Sequence, residues 1–455
     1  MSGTYPILRS LDPHHARIGY LGALAFVATR ALDRPDALMA RFQDLIFERI
    51  YPKDPRFAQL LSLVDEERRP ELLARQERPE DEDPSAAFSQ SPGAVESAPT
   101  DWLLTPRPKR PQRRLVHTEW LYISEFWLHH RLMPSPLGLL TRDKAHRTLD
   151  LARSIGVLLP TLELSEAGYL IQHLLMNARA NVSAPAHFNP LLPDAHPALP
   201  IVYFRQLLEH EMLLPFLILQ LTESEPAQLA TRGRTGLLLR SVERMLAAIG
   251  DTTDPESAME LRTVDEFREA IAVKDSTQEN YLRPRMEILV DLGLLGRRRR
   301  PAEGRAEFVW EPTERTRLLS RILAPLAGQQ NRTRTFLDEQ LFAAWTALHG
   351  STCRLIDTDQ ERLFWFARAF EQIGREFGFT PARTLAMKAC ILAWESGAVM
   401  EIGNVLKTVY EAAKTDWGRY LRFSGGSRFD SEFLIRIDEA MLPELRRTGG
   451  VPGEL

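Results

Sequence analysis

The stretch VDLGLLGRRRRPAEGRAEFVW, Val290 to Trp310, ends one kind of structure and begins another. Upstream, Asn280 to Asp291 carries Leu282, Met286 and Leu289 at helical spacing, with Asn280, Arg283 and Glu287 facing outward. Pro284 interrupts that helix, so it either starts near Asn280 or kinks, because proline cannot donate to the ladder. Gly293 stands where a helix closes through a left-handed backbone that side chains resist. Two extended runs follow, Arg297 to Arg300 and Arg305 to Trp310, around the turn residues Pro301-Ala302-Glu303-Gly304, which is the pattern of a hairpin. A helix in TVDEFREAIA (Thr263 to Ala272), a turn in KDSTQ (Lys274 to Gln278) and a closing helix in PTERTRLLSRIL (Pro312 to Leu323) complete the order helix, turn, helix, hairpin, helix.

The same order of features occurs earlier in the chain. A helix from about Glu119 to His130 is followed by a turn in MPSPLG and a periodic segment from Thr141 to Ile155. Next come Gly156-Val157-Leu158-Leu159, a short polar and apolar alternation, and the helical run LSEAGYLIQHLL. Aligning RSIGVLLP (Arg153 to Pro160) with VDLGLLGR (Val290 to Arg297) sets Gly156 opposite Gly293, which suggests two related modules or a reused architecture. In the earlier copy Ala145, Leu149, Ala152 and Ile155 form the inward face, leaving Asp143, His146, Arg147, Asp150 and Ser154 outward, with Thr141 as N-cap.

A helix closed by aliphatic-Gly-aliphatic-aliphatic and followed by a charged hairpin resembles the winged-helix (winged helix-turn-helix) superfamily, over about residues 114–175 and again over about 256–323. The resemblance implies a mainly α, multi-domain helical protein with two winged-helix modules carrying small β-hairpin wings. It also implies binding to double-stranded DNA, with one helix of each module in the groove and the wing on the phosphates. The residues that would carry this are Arg142, Lys144, His146 and Arg147 in the first module, with Arg147 as the candidate for a base edge. In the second they are Asn280, Arg283, Arg297, Arg298, Arg299, Arg300 and Arg305. Five arginines in one wing repel one another unless anions neutralise them, and three to five phosphate contacts would give a log–log salt slope of roughly −3 to −4.5. Such a charged edge can also serve only to keep a strand from aggregating. Winged helices also bind proteins in chromosome-organising and other multi-subunit complexes, so a scaffold that binds other subunits or itself is the alternative.

Composition narrows the classes further. At 455 residues the chain suggests roughly two to four domains. Hydrophobic residues at 44% and charged residues at 26% are globular values. A net charge of −4 excludes a general nucleic-acid coat protein, so any DNA contact must be local. Only seven of the 57 basic residues are lysine; a GC-rich genome accounts for most of that bias, and arginine is also the better bidentate partner for phosphate and guanine. Two cysteines, Cys353 and Cys390, are too few for a disulfide framework and are expected in the core. The apolar segment Ile18 to Ala28 is too short to span a bilayer and lacks a basic leader, which points to a cytoplasmic protein without a membrane partner.

The expected layout is an N-terminal helical domain (1–76), an acidic-to-basic linker (77–114), the first module (115–199), a helical connector (200–255), the second module (256–328) and a C-terminal helical domain (329–455). The linker begins as RPEDEDPSAAFSQSPGAVESAPT, which cannot bury enough surface to order itself, and ends as PRPKRPQRR. Its basic arm, Arg107, Lys109, Arg110, Arg113 and Arg114, is either a minor-groove or phosphate contact or a solvated charge run.

Catalytic patterns are weak. The glycine pairs at Gly233 and Gly236 and at Gly425 and Gly426 lack the lysine and spacing of a phosphate-binding loop, although SGGSRFD could cradle a phosphate. The pairs His14-His15 and His129-His130 diverge on a helix, and His210-Glu211 lacks a second histidine, so no metal and no cofactor are expected. A magnesium-dependent nuclease is the remaining enzymatic alternative, but the acids from Asp357 to Glu361 lie in a helical context. The expectation is a non-enzymatic DNA-binding subunit, in the company of multi-module bacterial proteins of regulation or antiviral, foreign-DNA defence.

Overall fold

The structure, a computed structural model, describes residues 7–9, 11, 18–29, 34–46, 147–181, 188–224, 235–250, 255–302, 305–374, 380–415, 421–424 and 434–437. The expected linker, its basic arm and the helix expected at Glu119 to His130 lie outside these residues, as do Arg142, Lys144 and His146. Among the described residues the protein is mainly helical. No helix there is long and apolar enough to cross a membrane.

The apolar N-terminal segment becomes α1 (Gly19–Val27), buried on every side over its first seven residues, which explains why it shows no polar stripe. A short α2 (Pro35–Gln43) follows, with Pro35 in the first turn where its missing N–H costs nothing, and with Leu38 and Phe42 buried. α3 (Arg147–Ser154) and α4 (Glu166–Asn181) lie on either side of Gly156 and make the first glycine-closed unit. α4 packs along α1, and Gln172 donates from its amide to the Ala25 and Ala28 carbonyls at 2.8 Å each, closing the end of α1.

The middle of the chain supplies α5 (Leu199–His210), α6 (Leu213–Glu223) and α7 (Thr235–Gly250). Almost every residue of α5 and most of α6 are buried, and α6 packs against α7. One hydrophobic cluster runs from Ile7 to Ile437 and includes the buried faces of these helices.

The second glycine-closed unit, around Gly293, follows as α8 (Pro255–Ala272), α9 (Asp275–Asp291), the antiparallel pair β1 (Leu295–Ala302) and β2 (Arg305–Pro312), and α10 (Glu314–Leu323). After it, α11 (Gln330–Glu339) and α12 (Leu341–Leu348) are separated by Gln340, whose φ of −142° and ψ of −6° break the ladder. A strand β3 (Arg354–Leu355) and α13 (Asp359–Ala369) follow, and α13 runs into a π-helical turn at Phe370–Gly374. β4 (Thr380–Pro381), α14 (Ala382–Glu395), β5 (Ala398–Val399) and α15 (Ile402–Ala413) come next. β6 (Leu421–Ser424) and β7 (Leu434–Ile437) complete a three-stranded sheet in the order β4-β7-β6, while β3 pairs with β5 in parallel. Cys390 is buried in α14 and Cys353 is partly buried.

Glu401 joins this last region together. Its carboxylate accepts from the Phe342 and Ala343 amides at 3.1 and 2.8 Å, covering N–H groups that the start of α12 leaves without intrahelical partners. Burial pushes its pKa up to about 7, and the backbone hydrogen bonds oppose that rise. A carboxyl raised in the folded state binds its proton more tightly there than in the unfolded chain. Its contribution is therefore complete below the unfolded value of 4.5 and is lost as pH rises through about 7. The urea midpoint of the wild type should fall relative to that of Glu401→Gln across this window. Parallel pH profiles of the two proteins would remove Glu401 from the titration.

Candidate nucleic-acid interface

Both units contain a helix that ends in the same way. Gly156 has φ of +71° and Gly293 has φ of +68°. The Val157 amide reaches back to the Ala152 carbonyl at 2.8 Å, and the Leu294 amide to the Leu289 carbonyl at 2.9 Å. These are the six-to-one bonds of a Schellman end, for which the left-handed residue is required. The apolar residues around each glycine are buried: Ile155, Val157 and Leu158 in the first unit, and Leu292, Leu294 and Leu295 in the second. Gly156 has a further constraint, since a Cβ there would lie 2.6 Å from Nε2 of the buried His210.

The units diverge beyond the glycines. In the second, β1 and β2 form a full ladder with Arg297 opposite Trp310, Arg298 opposite Val309, Arg299 opposite Phe308 and Arg300 opposite Glu307. Arg305 opens the return strand opposite Ala302. In the first unit the expected hairpin reduces to a single antiparallel bridge, Leu158 to Leu164. Ser165 accounts for the difference. Its hydroxyl donates to the Gly156 and Val157 carbonyls and accepts from the Gly168 amide, so α4 begins before a second strand can extend.

α9 starts earlier than its sequence suggests, at Asp275 rather than near Asn280, and the turn before it shrinks from KDSTQ to Val273 and Lys274. Pro284 lies inside the helix. Arg285, the next residue, donates from its guanidinium to the Tyr281 carbonyl at 2.6 Å. The same guanidinium holds Glu211 at 2.8 and 2.5 Å and the Leu8 carbonyl at 2.9 Å, and both charged side chains are fully buried. α9 is thereby fastened to the N-terminal segment and to the junction of α5 and α6.

Asn280 and Arg283 are exposed on α9. Glu287, expected on the same outward face, is instead buried. The hairpin folds back over the last turns of the helix, and Glu287 accepts from the Trp310 indole at 3.2 Å and pairs with Arg297. Arg297 is therefore committed to the core and is not free for phosphate, which corrects its expected role. In the first unit Arg147 opens α3 partly buried and already has an interaction partner, which weakens it as a base-edge contact. Leu149 and Ala152 face inward as expected, while Asp150 pairs with Arg153 at 3.7 Å.

α10 supports the hairpin from below. Thr313 and Thr316 form a reciprocal cap at its start, and both hydroxyls reach the Leu294 carbonyl just after Gly293. His210 and Glu211, adjacent in sequence, serve structure: the His210 Nδ1 lies 2.9 Å from the Gln206 carbonyl, and Glu211 holds Arg285. Among the described residues no group of three or more His, Cys, Asp or Glu is gathered to hold a metal ion. Compared with known proteins, the chain matches no family model, no curated protein and no solved structure.

Proposed function

We propose that the chain is a non-enzymatic double-stranded-DNA-binding protein that works with other subunits or with copies of itself. In this reading the unit from Pro255 to Leu323 acts as a winged helix: α9 enters the groove through Asn280 and Arg283, and the hairpin lies on the backbone through Arg298, Arg299, Arg300 and Arg305. The observation that carries it is the adjacency of an exposed Arg283 on α9 and a paired strand reading RRRR, separated by one tight helix end at Gly293. Phosphates neutralise such a row of guanidinium groups, and an arginine on the helix face reads guanine by two parallel hydrogen bonds. The first unit, without a hairpin, contributes a supporting surface rather than a second wing.

Fluorescence anisotropy with a labelled duplex over a salt series tests this. The triple variant R298A/R299A/R300A leaves Arg297 and its buried partner intact. Its log–log salt slope should be shallower by about three units, since each phosphate contact contributes about −0.9. Duplex affinity that is absent in the wild type, or unchanged in the triple variant, would assign the hairpin to protein contacts instead.

A further inference from the structure

A polar pocket of about 240 Å³ lies between α4 and α14, away from the hairpin. Asn177 and Asn181 of α4, His196 from the loop before α5, Gln372 of the π-helical turn, and Lys388 and Glu395 of α14 line it. Its volume far exceeds the roughly 10–15 Å³ that one water needs. Lys388 is 1% exposed, one of seven lysines in the chain, and sits within the apolar run TLAMKACILAW. Among the described residues its ammonium has no hydrogen-bond or ion-pair partner, although it borders the pocket. The ammonium opens on the pocket, where a group of opposite charge would meet it in surroundings that screen charge poorly.

The opposite end of the pocket carries that opposite charge. Glu395 is seven residues from Lys388 on the same face of α14, roughly 10 Å along the axis, with Leu392 between them. His196 Nδ1 accepts the Ala198 amide at 3.2 Å, which leaves the ring proton on Nε2, 3.5 Å from the Glu395 carboxylate. Burial and Lys388 push the His196 pKa down to about 4, so the ring is neutral and does not cancel the carboxylate. The lining also carries the neutral amides of Asn177, Asn181 and Gln372.

We propose that this pocket binds a small zwitterionic amino-carboxylate, its carboxylate on Lys388, its ammonium on Glu395 and its middle against the amides and Leu392. A ligand charged at one end only satisfies one pole, the buried Lys388 or the exposed Glu395, and not both. The assignment is independent of DNA binding, because the hairpin takes no part in it. Burial holds the Lys388 pKa down to about 8, with Glu395 opposing, so an arriving carboxylate should draw a proton onto the amine near pH 8.

The experiment is isothermal titration of the full chain with glycine, 4-aminobutyrate, 6-aminohexanoate, acetate and inorganic phosphate, at pH 8 in two buffers of different ionisation enthalpy. At least one of the longer amino acids should bind saturably and more than tenfold tighter than acetate, with proton uptake. Lys388→Met and Glu395→Gln should each weaken it at least tenfold. Lys388→Met removes a buried charge, so a melting temperature that is unchanged or raised shows that the loss is one of binding. Equal binding of acetate or phosphate and the amino acids would replace the assignment with a simple anion site. No saturable binding of any probe, or binding indifferent to both variants, would overturn it.

Discussion

Replacing Glu211 by alanine should destabilise the protein by about 3–5 kcal/mol, the usual cost of leaving one member of a buried ion pair without its partner. Glu211 and Arg285 are both fully buried, at 0% side-chain exposure, and the guanidinium also holds the Leu8 and Tyr281 carbonyls. A domain is commonly stable by only about 5–15 kcal/mol, so the loss would take a large share of the margin. The double variant E211L/R285M should recover part of it, because the charge leaves together with its counter-charge, while two carbonyls still lose a donor. Urea denaturation of the three proteins measures this. A loss below about 1 kcal/mol for Glu211→Ala would mean that water reaches the pair and that α9 is not fastened through it.

The second large effect is expected at Gly168, on the first turn of α4. A Cβ there would stand 2.0 Å from the Val157 carbonyl oxygen and 3.0 Å from Leu164 Cδ2. That carbonyl accepts from both the Ser165 amide and the Ser165 hydroxyl, each at 3.1 Å, so it cannot retreat without releasing them. Overpacking costs about 1–3 kcal/mol and each lost hydrogen bond about 1 kcal/mol more, which places Gly168→Ala near 3 kcal/mol or above. Gly397→Ala is the matched control: φ is +78° and no atom lies within 4 Å, so it carries only the left-handed penalty of about 1–2 kcal/mol. Equal denaturant midpoints for the two variants would show that the close approach of α4 to the Gly156 turn is not what positions it.

The parts of the fold legible in sequence are those decided within a turn or two of chain. Gly156 and Gly293 end their helices as their apolar neighbours suggest, because a left-handed closure depends on the glycine and on bonds reaching back five residues. The hairpin around Pro301 to Gly304 is legible for the same reason, since β1 and β2 pair with their immediate neighbours. The first unit misleads where a local competitor intervenes: Ser165 starts α4 and leaves one bridge where a wing was expected. Pro284 misleads in the other direction, since the helix continues through it where residues 284 to 289 are all buried.

The candidate interface divides along the same line. The row of arginines and the exposed Asn280 and Arg283 can be read from spacing. That Glu287 turns inward and takes Arg297 with it cannot, because helical spacing places Glu287 beside Arg283 and says nothing of the strand that returns over it. Lys388 left a faint trace, a lone lysine in an apolar helix, but its pocket is assembled from α4, a loop, a π-helical turn and α14.

The sequence by itself determined where helices end, where the hairpin turns and that apolar helices dominate, because backbone conformation answers to neighbours within a few residues. Only the tertiary structure decided which charges are free and which are committed. Arg285 meets Glu211 across 74 positions and Leu8 across 277, and burial fixes such pairings only after the chain has closed on itself. Whether an arginine of this protein faces outward or holds the fold from inside is settled at that step.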